Sequence, residues 1–151
     1  MFHKKYIVLV VITLAILLAA CGKVSQPANP TLTLGNNTCS YSGPNSLPYG
    51  KFTLDLVQSK TDPLPFGFAL VTLQSGKTIT DLKAWPSADP PDWLYVLTTQ
   101  GNLMTTQSFN WSLTYNGSYK PPEPVFLVCF QQDAKGNVNK IGAFGPITVQ
   151  E

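Results

Sequence analysis

Phe109, Trp111, Leu113 and Tyr115 alternate strictly with Asn110, Ser112, Thr114 and Asn116. A two-residue period puts every apolar side chain of such a run on one face, which is the pattern of a half-buried strand. Leu32 and Leu34 alternate with threonines in the same way, as do Phe52, Leu54 and Leu56 with Thr53 and Asp55. From Phe66 to Leu73, from Trp93 to Leu97 and from Val125 to Phe130 both alternating sets are largely apolar, so these runs are expected near the middle of a sheet, covered on both sides. Ile147 and Val149 make a short closing strand behind Gly145-Pro146. Pro and Gly recur between these runs at short intervals, and about seven strands in roughly 120 residues predict an all-β sandwich.

One segment departs from the β pattern. Thr78 and Asp81 can cap a helix start, and Ile79, Leu82 and Trp85 then share one helical face before Pro86 stops it. This predicts one short helix near residues 79–85. The run Pro86 to Asp92 holds three prolines, whose fixed φ angles and missing amide donors exclude a central strand. It is expected to cross the surface.

The N-terminus says where the chain works. His3, Lys4 and Lys5 precede an apolar stretch, Ile7 to Leu18, broken by Thr13 alone. That stretch falls short of the ~20 residues a membrane-spanning helix needs, and the pattern is that of a signal peptide. Its last residues, Leu18-Ala19-Ala20-Cys21, resemble the bacterial lipobox, in which cleavage precedes the cysteine and its sulfur receives a diacylglycerol. The resemblance implies a signal peptide at 1–20, a covalent lipid on Cys21, a tether at 21–30 and one folded domain at 31–151. Residues Gly22 to Pro30 (GKVSQPANP) are small, polar and proline-bearing, as a tether should be. Localisation is then extracytoplasmic and membrane-anchored, in the cell membrane or the outer membrane. Gly22 is not the Asp that resembles an inner-membrane retention signal.

Setting Cys21 aside leaves Cys39 and Cys129 of the three cysteines. Two leftover thiols in an oxidising compartment are expected to form a disulfide. The alternative is a free thiolate at Cys129, acting as a nucleophile or metal ligand.

Cleavage would also remove His3, the single histidine, and arginine is absent throughout. Ser-His and Cys-His pairs then lack their base, Zn and blue-copper sites lose imidazole, and bidentate clamps on phosphate are unavailable. Of ten Lys, Lys4 and Lys5 leave with the signal, so eight face eight Asp plus Glu. A net charge near zero predicts no nucleic-acid binding. No cofactor is expected beyond the lipid, and no catalytic residue.

Several segments carry a family likeness. The stretches CSYSGPNSLPYGKFTLDLV, GKTITDLKAW, DPPDWL, VFLVCFQ and GPITV resemble a family of cupredoxin-like exported bacterial domains over roughly residues 31–150. Cys129 takes the place of the cupredoxin cysteine on the strand before the last. Copper-binding members would carry a His shortly after it and commonly a Met beyond. Here Gln131, Gln132, Asp133 and Ala134 come next, with Ala143 and Phe144 where the Met would stand. The resemblance implies the sandwich without electron transfer. The run Asp133 to Val138 also resembles the final D-A-x-G-N hairpin of immunoglobulin-like and fibronectin-like bacterial domains, and either resemblance implies a Greek-key β-sandwich.

Three aromatic residues, Trp85, Trp93 and Tyr95, flank the proline-rich crossing. They either form a ligand surface for a glycan or an envelope protein, or fill the end of the core, the commoner use of such side chains. Asp89, Asp92 and Asp133 lack a calcium-loop pattern and read as solvated loop charges. Asn36, Asn110 and Asn116 match glycosylation acceptors, which the lipobox resemblance implies is a coincidence. The expected function is a non-catalytic binding or scaffolding domain at the cell envelope. The alternative is a metal- or redox-linked cupredoxin-type protein using Cys129 with carboxylates or Met104.

Overall fold

The computed structural model describes residues 29–35, 37–58, 64–86, 90–113 and 123–150. The expected signal peptide at 1–20, Cys21, most of the expected tether, Asp89 and the acceptor-like Asn36 and Asn116 lie outside the described residues.

Among the described residues there are nine strands and one short helix. In chain order they are β1 (Thr31–Gly35), β2 (Thr38–Ser42), β3 (Ser46–Pro48), β4 (Gly50–Gln58), β5 (Phe66–Leu73), α1 (Ile79–Ala84), β6 (Leu94–Leu103), β7 (Gln107–Leu113), β8 (Val125–Gln132) and β9 (Val138–Gln150). One sheet has the order β2-β1-β4-β7 and the other β3-β9-β8-β5-β6. Two pairings are parallel, β1 with β4 and β3 with β9, and the rest are antiparallel. The fold is an all-β sandwich, as the alternating runs predict.

Nine strands replace the expected seven because the stretch from Thr38 to Pro48 folds as β2 and β3. Its apolar residues, Tyr41 and Leu47, are too sparse to set a period, and Gly43-Pro44 breaks it. Pro48 ends β3 at the edge of its sheet, where a missing amide costs no ladder bond. The last strand is also longer than the pair Ile147 and Val149 suggests. It begins at Val138 and carries a register shift against β8 between Val125 and Leu127, beside Gly145-Pro146.

Two apolar layers result. Between the sheets, Leu32, Leu34, Leu54, Leu56, Phe66, Phe68, Leu70, Leu127 and Ile147 are essentially inaccessible, with Trp111 and Leu113 beside them. On the outer face of the five-stranded sheet, Ala69, Val71, Leu94, Phe126, Val128 and Ala143 form a second cluster with Leu82 of α1. β5 and β8 therefore have apolar residues at both alternating positions because both their faces are covered, in line with their sequence.

β6 is different. It is the terminal strand of its sheet, and Tyr95 and Val96 are 45% and 46% exposed. The expectation that the Trp93 to Leu97 run lies mid-sheet is corrected here. An apolar run shows that side chains avoid water, and it does not distinguish a covered strand from one that lines an open hollow.

The helix forms where its cap predicts. Thr78 Oγ1 accepts from the Thr80 and Asp81 amides at 3.2 and 3.5 Å, and the Thr78 amide donates to Asp81 Oδ2 at 2.8 Å. These bonds, a reciprocal capping box among them, satisfy three otherwise orphaned donors. Bonding from Thr78 holds the Asp81 carboxyl below its usual pKa. Leu82 is buried against the outer cluster, and α1 packs on β9.

The β8–β9 hairpin is built on Asp133. Its carboxylate accepts from the Lys135 and Asn137 amides, both at 2.8 Å, and from Asn137 Nδ2 at 2.9 Å. Hydrogen bonds led by Asn137 keep its pKa below the usual value. Gly136 has φ 88°, a conformation open to glycine at no steric cost. Asp133 is thus a turn residue whose oxygens are occupied by its own loop.

Candidate functional site

Cys39 and Cys129 are joined by a disulfide, with a Cα–Cα distance of 6.3 Å. Cys39 stands on β2 opposite Leu34, at the edge of one sheet, and Cys129 stands on β8 within the other, fully buried. The bridge ties the two sheets through the core. It depends on Gly142, which pairs with Cys129: a Cβ there would lie 2.9 Å from Cys39 Cβ. Only a residue without a side chain leaves that passage open. A glycine inside a long strand was the available sequence signal for this role, and sequence reasoning missed it.

With both sulfurs in the bridge, neither is a thiolate nucleophile or a soft metal ligand in this structure. Among the described residues, no three His, Cys, Asp or Glu side chains are gathered where they could hold a metal ion. Met104 is exposed just beyond β6, and Asp92 is exposed before it.

The three aromatic candidates are placed differently. Trp85 lies just past the last turn of α1 and meets the Phe130 ring edge to face, with centroids 6.1 Å apart and planes at 76°. Trp93 packs on the same outer cluster, with Lys77 Nζ 5.3 Å from its ring. Tyr95 stands opposite the buried Thr72, on the other face of β6 from Leu94 and Val96. The structure brings Trp85 and Trp93 to one side of the sheet and leaves Tyr95 on the other.

Lys140 of β9 fixes Trp85. Its Nζ donates to the carbonyls of Leu82 (2.7 Å), Lys83 (2.9 Å) and Trp85, and sits 5.4 Å from the Trp85 ring. These are carbonyls at the C-terminal end of α1, where a cation is doubly favoured by hydrogen bonding and by the helix dipole. Burial pushes the Lys140 pKa below the usual 10.5. Lys140→Met keeps the apolar stem and removes the donors. It should cost about 1–3 kcal/mol in urea unfolding, the scale for stranding partly buried hydrogen-bonding groups, and should speed amide exchange in α1.

Beside Trp85 lies a hollow of about 180 Å³ on the outer face of the sheet. Ala69 and Val71 of β5, Val128 and Phe130 of β8 and Leu94, Val96 and Thr99 of β6 line it, with Trp85 and Pro90 at its rim. A second hollow of about 190 Å³ adjoins it, sharing Thr99 and Phe130, and there Gln100, Asn102 and Gln132 join the wall. Thr99 reaches this face because β6 carries a bulge: Leu70 pairs with Thr98, and the next residue, Val71, pairs with Val96. One extra residue on the edge strand re-aims the side chains beyond it. Neither the hollow nor the bulge was legible from the sequence.

Comparison of the chain with protein-family models, with curated proteins and with solved structures returns no match.

Proposed function

We propose that this chain is a lipid-anchored extracytoplasmic protein whose β-sandwich is a non-catalytic binding module at the cell envelope. The observation that carries the reading is the Cys39–Cys129 disulfide. It uses two of three cysteines, suits an oxidising compartment, and leaves Cys21, behind Leu18-Ala19-Ala20, as the remaining thiol for a lipid. The sandwich, the helix between β5 and β6 and the position of Cys129 on the strand before the last support the cupredoxin-like resemblance. The disulfide, together with the histidine-free segment after Cys21, weighs against the metal- or redox-linked alternative.

Cys21→Ser tests the anchor, because a hydroxyl cannot take the thioether-linked diacylglycerol. Wild type should incorporate labelled fatty acid and fractionate with membranes. The serine variant should carry no label and, where the signal is cleaved, should move to the soluble fraction, since each buried CH₂ contributes about 0.8 kcal/mol to membrane affinity. Intact mass separates cleaved from uncleaved chains. Lipid label persisting on the serine variant would end the reading.

A further inference from the structure

The floor of the paired hollows is β5. Its outward positions run Gly67, Ala69, Val71, so the strand has no side chain at Gly67 and a single methyl at Ala69, where Phe130 and Val128 rise on one side and Thr99 on the other. At Gly67 even a Cβ would press on the Gln100 carbonyl at 2.9 Å. Small residues flanked by large ones make a trough, and Trp85 and Pro90 raise its apolar end.

Among the described residues the lining is uncharged. Apart from the Trp85 indole, the hydroxyl of Thr99 is the single polar side-chain group of the apolar hollow among the described residues, and the adjoining one adds Asn102, Gln132, whose amide donates to the Gly136 carbonyl, and the backbone carbonyl of Gln100 beside Gly67. The ammonium set over the Trp85 ring, that of Lys140, is committed to three carbonyls. A carboxylate or ammonium entering here would lose hydration without meeting a counter-charge. Charge complementarity therefore selects a neutral occupant. Size selects further: a dry apolar cavity of about 150 Å³ takes one benzene, so the hollow beside Trp85 suits a single ring. The Trp85–Phe130 edge-to-face pair in its wall favours an aromatic ring over an aliphatic group of equal area.

We propose that the outer face of β5, β6 and β8 is a binding site for a small uncharged aromatic amphiphile, its ring beside Trp85 and Phe130 and its neutral polar end at Asn102 and the Gln100 carbonyl. This deepens the reading of the domain as a binding module and is independent of the lipid on Cys21. The exposed Val96, opposite Val71, is covered by the occupant.

Benzyl alcohol is the probe, with benzoate and benzylammonium as charged rings of equal size. Titration of the full chain followed by amide chemical shifts should move Ala69, Val96, Thr99 and Phe130 first. The charged pair should bind at least tenfold more weakly. Ala69→Leu should fill the hollow and weaken benzyl alcohol at least tenfold. Val96→Phe, at an exposed position that tolerates bulk, blocks the mouth and should do the same if the leucine variant does not fold. Equal binding of all three probes, shifts centred elsewhere, or unchanged affinity in the folded variants would overturn the site. So would self-association of the free chain through β6 that leaves the hollow covered. Failure of lipid labelling leaves this experiment untouched, and a negative titration leaves the anchor untouched.

Discussion

Replacing Cys39 and Cys129 together by alanine is expected to lower stability by about 4–5 kcal/mol. The bridge joins residues 90 apart in sequence, and on the chain-entropy model a loop of that length restricts the unfolded ensemble by about this amount. Most single domains have only about 5–15 kcal/mol to lose, so the variant should unfold at a much lower urea midpoint. The position adds to the effect. Cys129 is fully buried at the centre of the five-stranded sheet and Cys39 lies in a terminal strand of the other sheet. Without the bond, β2 is held by its five-residue pairing with β1 and its packing on Phe144. Amide exchange in β2 should therefore accelerate more than in β5 or β8. Urea curves with and without reductant should match the double-alanine variant and the wild type respectively. A midpoint insensitive to reductant and to the substitutions would show that the staple carries none of the stability.

The same bridge shows what a single sequence can and cannot disclose. Cys39 and Cys129 were pairable from their number and the compartment that the signal-like N-terminus suggests, and the short helix was legible from Thr78, Asp81 and Pro86, because both rest on local chemistry. The central strands were legible from Phe66 to Leu73 and Val125 to Phe130 for a related reason: burial on both faces leaves few polar positions, Thr72 being one. The failures share a cause as well. β2 and β3 are short edge strands whose residues are partly exposed, so burial imposes no period on them. The mid-sheet placement of Trp93 to Leu97 failed because Val96 lines a hollow. The trough itself is a difference in side-chain size between strands, Gly67 and Ala69 against Phe130 and Thr99, and depends on pairing register. Register between strands so far apart in the chain leaves no local trace.

Phe68→Ala should destabilise the domain by about 3–5 kcal/mol, the range for removing a fully buried aromatic ring. Phe68 is inaccessible within β5, between the sheets. Its ring meets Phe109 nearly edge to face at 5.2 Å and Trp111 at 4.9 Å, so it joins the five-stranded sheet to β7 of the other. Those two partners belong to the run whose alternation is strictest in the sequence. The packing of Phe68 thus connects the clearest strand signal to the sheet that bears the trough. Phe68 also stands opposite Cys129 on β8, which makes its neighbourhood the point where ring packing and the disulfide meet. Contacting residues rarely act additively, and a cavity next to the bridge permits relaxation that a bridged chain resists. The triple variant with Phe68→Ala, Cys39→Ala and Cys129→Ala should therefore lose less than the sum of its parts, by about 0.5–3 kcal/mol. Urea unfolding of the four species, read as a thermodynamic cycle at constant m, measures this directly. Additive losses would show that the ring and the bridge act independently, and that the two sheets are joined at two separate places rather than one.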